Sequence, residues 1–267
     1  MTRRFVPERA RLAYAAATSY RRTYGRFPNL IFPSTFNEKV QQRKVVDRDP
    51  LMPILADKLL VKDFVRQRLG DEWLIPTLWH GTRLPPLAER DWQIPFAIKT
   101  THGSGWNQFV RSDAERDWTA IERKLQGWLA TTYGRHAGEW LYGRIEPRLL
   151  VEPFIGRDGT LPLDFKFWTF DGLVRFVQVD IGREHNHKRA FYDRDWQRLP
   201  FTIEFPYEDS EIEAPASLAA MTAAAELLGR GISFVRVDFY EVDGRPRFGE
   251  MTFYPGRWDG ALHAAAL

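Results

Sequence analysis

Cysteine is absent from all 267 residues, which removes disulfides, thiolate metal sites and thiol nucleophiles at once. Long apolar runs are absent too: nothing approaches the roughly eighteen consecutive apolar residues of a membrane-spanning helix. The opening stretch, MTRRFVPERARLAYAAATSYRRTYGRF, has basic residues and alanines but no sustained apolar run, so it does not read as a signal peptide. A cytoplasmic protein is the expectation. Internal repeats and low-complexity tracts are also missing. So is a strong excess of one charge, since 38 Lys and Arg stand against 35 Asp and Glu. The two signs are interspersed, which argues against a nucleic-acid partner and suits a small anionic ligand.

What is present is an ordinary globular balance, 44% hydrophobic and 27% charged. That is enough to build a core in one large domain or two small ones. Nineteen Phe and ten Trp are a high aromatic content, most of it explained as core filling.

Residues 8–24 read as a basic helix with Leu12, Ala16, Tyr20 and Tyr24 at helical spacing. It either packs on the body or lies against an anionic partner, which leaves peripheral membrane contact open. Thr35-Phe36-Asn37-Glu38 is a capping box that starts a second helix. Asp49-Pro50 breaks the chain before a third, expected over roughly 51–69, which carries Asp57-Lys58 and ends at Gly70. From Pro95 onward strands and helices alternate. A strand over 95–101, a His102-Gly103-Ser104-Gly105 loop and a returning strand over 107–111 precede a helix at about 115–133. Residues 148–155 form an apolar strand, and 163–169 with 173–180 form a hairpin around Asp171-Gly172. The segment 181–190 reads as a long loop crowded with Arg183, His185, His187, Lys188 and Arg189; the two alternating histidines are a weak metal signal. A helix over about 215–230 leads into a last hairpin.

That hairpin, FVRVDFYEVDGRPRFGEMTF over 234–253, is the most informative stretch. Arg236, Asp238 and Tyr240 alternate onto one face of its first strand, and Glu250 and Thr252 onto one face of its second. A two-residue Asp243-Gly244 turn would set Asp238 and Glu250 on opposite faces. A three-residue loop, Val242 to Gly244, puts Arg236 opposite Glu250 with Asp238 as a diagonal neighbour. In that register two carboxylates and an arginine converge, and Mg²⁺ carrying a phosphate is the usual way to relieve their repulsion. The plain alternative is a hairpin whose charges face water.

Lys99 before the His-Gly-Ser-Gly loop is the second feature. A glycine-rich turn lets backbone N–H groups approach phosphate oxygens, and a lysine at its base adds charge. It lacks the ending and the strand–loop–helix context of a Walker A motif. Glu152 closes a strongly apolar strand, either as a strand-end residue in water or as a cleft residue between two lobes. Asp164 and Lys166, two apart, share a face, and a simple ion pair would account for them.

These features together resemble the ATP-grasp superfamily, and within it the TupA-like branch associated with teichuronopeptide and other surface-polysaccharide biosynthesis. The matching segments are TFNEKVQQRK (35–44), the Asp57-Lys58 helix, IKTTHGSGWN (98–107), VEPFI (151–155), DFKFWTFDG (164–172), FYDRDW (191–196) and FVRVDFY…FGEMTFYPG (234–256). They follow the family's order and cover nearly the whole chain from residue 30. The tail after Gly256 is shorter and richer in alanine than the family pattern.

The resemblance implies an α+β fold of ATP-grasp type, with a nucleotide cleft between two α+β lobes that follow N-terminal helices. The implied bounds are 1–75 for the helical region, 76–155 for a small lobe with a glycine-rich flap, and 156–267 for a large lobe with the metal site. ATP and Mg²⁺ are the implied cofactors. Lys58 and Lys99 resemble the lysines that reach the phosphates, and His102, Gly103, Ser104 and Gly105 resemble the flap over them. Glu152, Pro153, Phe154 and Ile155 resemble the adenine-contacting hinge, with Asp164 toward the ribose and Lys166 beside it. Arg236 resembles the arginine on the transferred phosphate, assisted by Lys188, Arg183 or Arg189. Asp238, Glu250 and Thr252 stand at the metal positions. The family often has Glu-x-Asn where this chain has Glu250-Met251-Thr252, and a hydroxyl is a weaker ligand than an amide oxygen.

The implied reaction joins a carboxylate to an amine. An amine does not displace oxygen from a carboxylate at neutral pH, so ATP first converts it to an acyl phosphate, and the protein positions groups and neutralises charge. A cell-surface polysaccharide precursor or a peptide is the implied acceptor. Two other readings stay open: a glycosyl- or other group transferase working from a nucleotide-sugar, and a non-catalytic nucleotide-binding protein on the same scaffold.

Overall fold

The computed structural model describes residues 7–256. The tail 257–267, on which the departure from the family pattern falls, lies outside the described residues. Helix α1, Glu8–Tyr24, has an acid in its first turn and two arginines in its last, matching the helix dipole. It stops at left-handed Gly25, whose N–H donates to the Arg21 carbonyl at 2.8 Å. Helix α2, Phe36–Val46, begins at the capping box: the Thr35 hydroxyl accepts from the Glu38 N–H while the Glu38 carboxylate accepts from the Thr35 N–H.

The single helix expected over 51–69 is two helices, α3 at Leu51–Ala56 and α4 at Val61–Leu69. Asp57 causes the break. Its backbone is extended, and its Oδ1 accepts from the Leu59 and Leu60 N–H groups at 2.8 and 3.1 Å, an alternative that competes with helix. Lys58 therefore sits in a turn, with its N–H bonded to the Thr101 carbonyl at 3.2 Å.

Two antiparallel sheets follow. The smaller contains β1 (Trp79–Gly81), β2 (Phe96–Thr100), β3 (Asn107–Val110) and β4 (Leu149–Pro153) in the order β1-β4-β2-β3. Helix α5, Trp118–Leu129, covers it, and Phe96, Ile98, Val110, Ile121, Leu125, Leu149 and Val151 form its own core. The larger sheet holds β5 (Asp164–Phe170), β6 (Leu173–Ile181), β7 (Lys188–Tyr192), β8 (Arg198–Leu199), β9 (Phe234–Val242) and β10 (Arg245–Thr252), in the order β10-β9-β5-β6-β7-β8. Because β7 starts at Lys188, the expected long loop contracts to residues 182–187. Helix α6, Leu218–Gly229, packs on this sheet, and Phe36, Val40, Leu55, Val61 and Val65 of α2–α4 share the same core. The antiparallel sheets with segregated helices make this an α+β molecule. Among the described residues no helix is long and apolar enough to cross a membrane.

Candidate functional site

Strand period decides which side chains meet. On the large sheet one face, with Phe165, Phe167, Val237, Phe239, Phe248 and Met251, is buried in the core. The opposite face presents Asp164 and Lys166 from β5, Asp180 from β6, Arg189 from β7, Arg236, Asp238 and Tyr240 from β9, and Glu250 and Thr252 from β10. These residues stand opposite one another across the ladder: Lys166 with Asp238, Asp164 with both Tyr240 and Asp180, Asp180 with Arg189, Glu250 with Asp238, and Thr252 with Arg236. They floor a cleft of about 730 Å³ whose other wall comes from β2 and β4.

The hairpin register differs from the one expected. The turn has two residues, Asp243 and Gly244, both with positive φ, so Val242 pairs with Arg245. Asp238 and Glu250 would then face opposite sides, but a bulge at Gly249 inserts one residue into β10 and brings Glu250 directly opposite Asp238. Glycine eases the close approach there, since a Cβ would lie 3.0 Å from the Asp238 carbonyl oxygen and 3.2 Å from the Tyr240 ring, tighter than an ordinary contact.

The floor is a lattice of alternating charge. Arg236 donates from Nε and Nη2 to the two Asp238 oxygens, each at 2.7 Å, and reaches Glu250 at 3.4 Å. Lys166 lies 2.8 Å from Asp238 and also bonds Asp164. Arg183 lies 2.6 Å from Asp164, Arg189 2.6 Å from Asp180, and Lys58 3.3 Å from Glu250. Burial pushes the Glu250 carboxyl up, but Lys58, Arg236 and Lys166 outweigh it and hold it well below the usual carboxylate range. Burial acts the same way on Asp180, and His187, Lys166 and Arg189 overcome it. The cations respond in kind. Asp164 and Tyr240 hold the Arg183 guanidinium up against the effect of burial.

On the opposite wall, Lys99 of β2 and Glu152 of β4 lie 2.7 Å apart. Lys62 of α4, which the sequence reading passed over, bonds the second Glu152 oxygen and also donates to the Ile75 carbonyl and the Thr77 hydroxyl. Burial raises the Glu152 carboxyl, and the two lysines bring it back below its ordinary value. Pro153, Phe154 and Ile155 continue the wall. The loop Gly103-Ser104-Gly105 hangs over the cleft and is tied down by Lys58, whose ammonium donates to the Gly103 carbonyl at 2.5 Å. A Cβ at Gly103 would fall 2.3 Å from the Trp106 ring, so the loop folds this tightly only with glycine.

Two expected site residues lie elsewhere. His102 is buried, its Nε2 3.2 Å from the Thr131 carbonyl and its ring edge-on to Trp106. The ring anchors the base of the loop and does not line the cleft. Lys188 is adjacent to Arg189 on β7, so alternation sends it away from the Asp180 face toward Glu208, 3.6 Å away. Of the three cations expected to assist Arg236, Arg183 and Arg189 line the cleft and Lys188 does not. Asp180 was missed because the 173–180 strand was read only as half of a hairpin. Lys62 has no sequence signal beyond being a polar helix residue.

A family model described as TupA-like ATPgrasp matches residues 38–262. The chain belongs to the TupA-like ATP-grasp family. No curated protein matches it. Among solved structures it is similar to the D-alanine–D-alanine ligase from Bacillus anthracis complexed with ATP, at 18% identity and TM-score 0.45, covering 80% of this chain and 60% of that one. It is also similar to the VanG D-Ala:D-Ser ligase from Enterococcus faecalis, at 16% identity and TM-score 0.44, covering 76% of this chain and 53% of the other. The ATP-grasp ligase PsnB, complexed with minimal precursor, Mg and ADP, aligns at 12% identity and TM-score 0.42, over 78% and 53%. This chain thus spans 60% or less of the length of those structures.

ATP-grasp membership raises the question of Mg²⁺, and the donor set of this chain fits it. Asp238 and Glu250 face each other with oxygen donors only, the chemistry a hard divalent cation takes. Two carboxylates are a partial shell, which suits an ion that keeps waters and substrate phosphates as its remaining ligands. Thr252 is drawn into a different role. Its hydroxyl accepts from Arg236 and donates to Glu250, both at 3.1 Å, and so orients the pair.

Proposed function

We propose that this chain is an ATP- and Mg²⁺-dependent ligase that joins a carboxylate to an amine through an acyl phosphate. The observation that carries the reading is the cleft floor, where the Asp238–Glu250 pair is held by Lys58, Lys166 and Arg236, with Arg183 beside it on Asp164, beneath a glycine-rich loop. Asp238 and Glu250 would hold Mg²⁺, which supplies charge neutralisation to the phosphates when bound. Lys99 and Lys58 face the nucleotide phosphates from the two sides of the loop, and the 153–155 segment takes the base. Arg236 and Arg183 neutralise charge on the transferred group in a partly dehydrated cleft, where such charges act most strongly. A carboxylate oxygen of the substrate attacks the γ-phosphorus and the bond to ADP breaks. The amine then attacks the acyl carbon, phosphate leaves with the bonding electron pair, and the nitrogen gives up its proton.

The far end of the cleft differs in character and is where we place the amine. Ser19, Thr23, Asn37 and Gln41 line it with neutral polar groups, and its one close ion pair, Lys44 with Glu139 at 3.3 Å, is internally balanced. Among the described residues the lysine lining it, Lys44, is already paired with Glu139, a setting that suits a neutral or amine-bearing acceptor better than a second anion. Transfer of an amino acid or peptide unit in cell-surface polysaccharide assembly is the role we propose.

Calorimetric titration of ATP with and without Mg²⁺ tests this on the wild type and on Glu250→Gln, chosen because Asp238 is buried between Arg236 and Lys166, where substitution also disturbs the fold. Magnesium-dependent binding that weakens at least tenfold in the variant supports the ligase site. A wild type that ignores ATP but binds a nucleotide-sugar overturns it in favour of a transferase.

A further inference from the structure

The loop between α1 and α2 holds three large apolar side chains away from the protein. Ile31 is 75% and Phe32 79% exposed, and Phe27 at the base of the loop is 55% exposed. A floppy loop could bury such residues; this one is built so that it does not. Glu38, only 2% exposed, is the hub. Its carboxylate accepts from Arg26 at 2.6 Å, from the Asn29 and Ser34 N–H groups at 3.2 Å each, and from the Thr35 N–H at 3.4 Å. Asn29 Oδ1 in turn accepts from the Ile31 and Phe32 N–H groups at 3.2 and 3.0 Å, and Gln42 donates to the Leu30 carbonyl at 2.9 Å. Pro28 and Pro33 flank the apolar pair and restrict the backbone further.

The charge around this tip has one sign. Between Glu8 and Glu38 there is no acid at all, while Arg9, Arg11, Arg21, Arg22 and Arg26 fall in that interval. Arg11, Tyr14 and Arg21 stand at helical spacing on one exposed stripe of α1, with Tyr14 74% exposed, and Arg21 lies over the Phe27 ring at 4.8 Å. Lys39 is exposed on the helix that follows the loop. A rigid apolar tip in a stretch with five arginines and no acid between Glu8 and the buried Glu38 matches the interface of an anionic bilayer, where apolar side chains enter the acyl boundary and arginines meet lipid phosphates.

We propose that the 27–34 loop, with the basic stripe of α1, docks this protein on anionic lipid surfaces. The docking needs no membrane-spanning helix, and it stands apart from the chemistry proposed for the cleft.

Co-sedimentation of the full chain with phosphatidylcholine vesicles, with or without one quarter phosphatidylglycerol, tests this. The wild type is expected to sediment with the anionic vesicles only, and less so as salt is raised. Ile31→Ser with Phe32→Ser should weaken that binding by on the order of tenfold or more. Arg21→Glu with Arg22→Glu should abolish the preference for anionic lipid. Both double variants alter exposed side chains, so unchanged thermal unfolding serves as the folding control. Absence of wild-type binding to anionic vesicles, or equal binding by the Ile31/Phe32 variant, overturns the proposal. So does light scattering that shows a wild-type dimer which the same variant converts to a monomer, because the tip would then be a contact between copies.

Discussion

Glu152 sits on a strand that otherwise reads as continuous core, and it is tolerated there because Lys62 and Lys99 each take one of its oxygens. A buried charge pair is a weak stabiliser overall but a strong constraint once formed, since removing one member strands the other. Glu152→Gln should therefore destabilise the fold by about 3 kcal/mol in urea unfolding, because Lys62 is left buried with neutral partners. Replacing the pair together, Lys62→Met with Glu152→Leu, should recover much of that loss; a double variant as unstable as the single would contradict it. Glu38 makes a second prediction through pH. Burial raises its carboxyl, but Arg26 and three backbone N–H groups lower it to about 2 from an ordinary 4.5. The folded-state value is the lower one, so its contribution is complete above pH 4.5 and fades as pH falls toward 2. The stability gap between wild type and Glu38→Gln, at most about 3 kcal/mol, should close over that interval. A gap that stays constant from pH 5 to pH 2 would show that the hub is not ionised in the way described.

The β5–β6 and β9–β10 hairpins of the large sheet use the same device, and that device limits what the sequence can disclose. Each has an Asp-Gly turn of two positive-φ residues, and each carries a one-residue irregularity that sets acids face to face: Asp164 with Asp180, and Asp238 with Glu250. The turns are legible because Asp-Gly at a tight reversal has few conformations open to it. The alternation of Arg236, Asp238 and Tyr240 is legible because period two follows from strand geometry. A bulge is less so: Gly249 within Arg-Phe-Gly-Glu hints at one, but the run does not say whether the glycine pairs or is the extra residue, and a one-residue slip reverses every face. That is why the convergence of Asp238 and Glu250 was anticipated through the wrong turn. The helix break at Asp57 escaped for a related reason: its side-chain bonds to Leu59 and Leu60 compete with helix only in a local geometry that periodicity does not report. Gly249→Val tests the bulge. The new side chain would press on the Asp238 carbonyl, costing about 1–3 kcal/mol of stability. Magnesium-dependent ATP binding should fall by more than that loss alone implies, since the strand carrying Glu250 must shift. Unchanged ATP affinity in a folded Gly249→Val protein would separate the bulge from the site.

At the scale of the molecule, the cleft joins two sheets that otherwise have separate hydrophobic cores, one small around β2, β4 and α5 and one large around β5, β9 and the helices α2–α4 and α6. Lys99 and Glu152 belong to the first, and Arg236, Asp238 and Glu250 to the second. Lys58 touches both, through Gly103 of the loop and through Glu250 of the floor. A ligand that engages both walls binds only when both are folded and correctly placed, so its binding energy adds to the stability of the whole chain. MgATP at roughly one hundred times its dissociation constant should contribute about 2.7 kcal/mol and raise the melting temperature by about 5–10 °C. Chelating the metal should remove most of the shift. Lys99→Met and Glu250→Gln should each diminish it from opposite walls. If only the Glu250 variant responds, the nucleotide is held by the large sheet alone and the small sheet is no part of the site. If both respond, the ligand couples two cores that the chain itself leaves nearly independent, which is the condition for a cleft that closes on its substrate before chemistry begins.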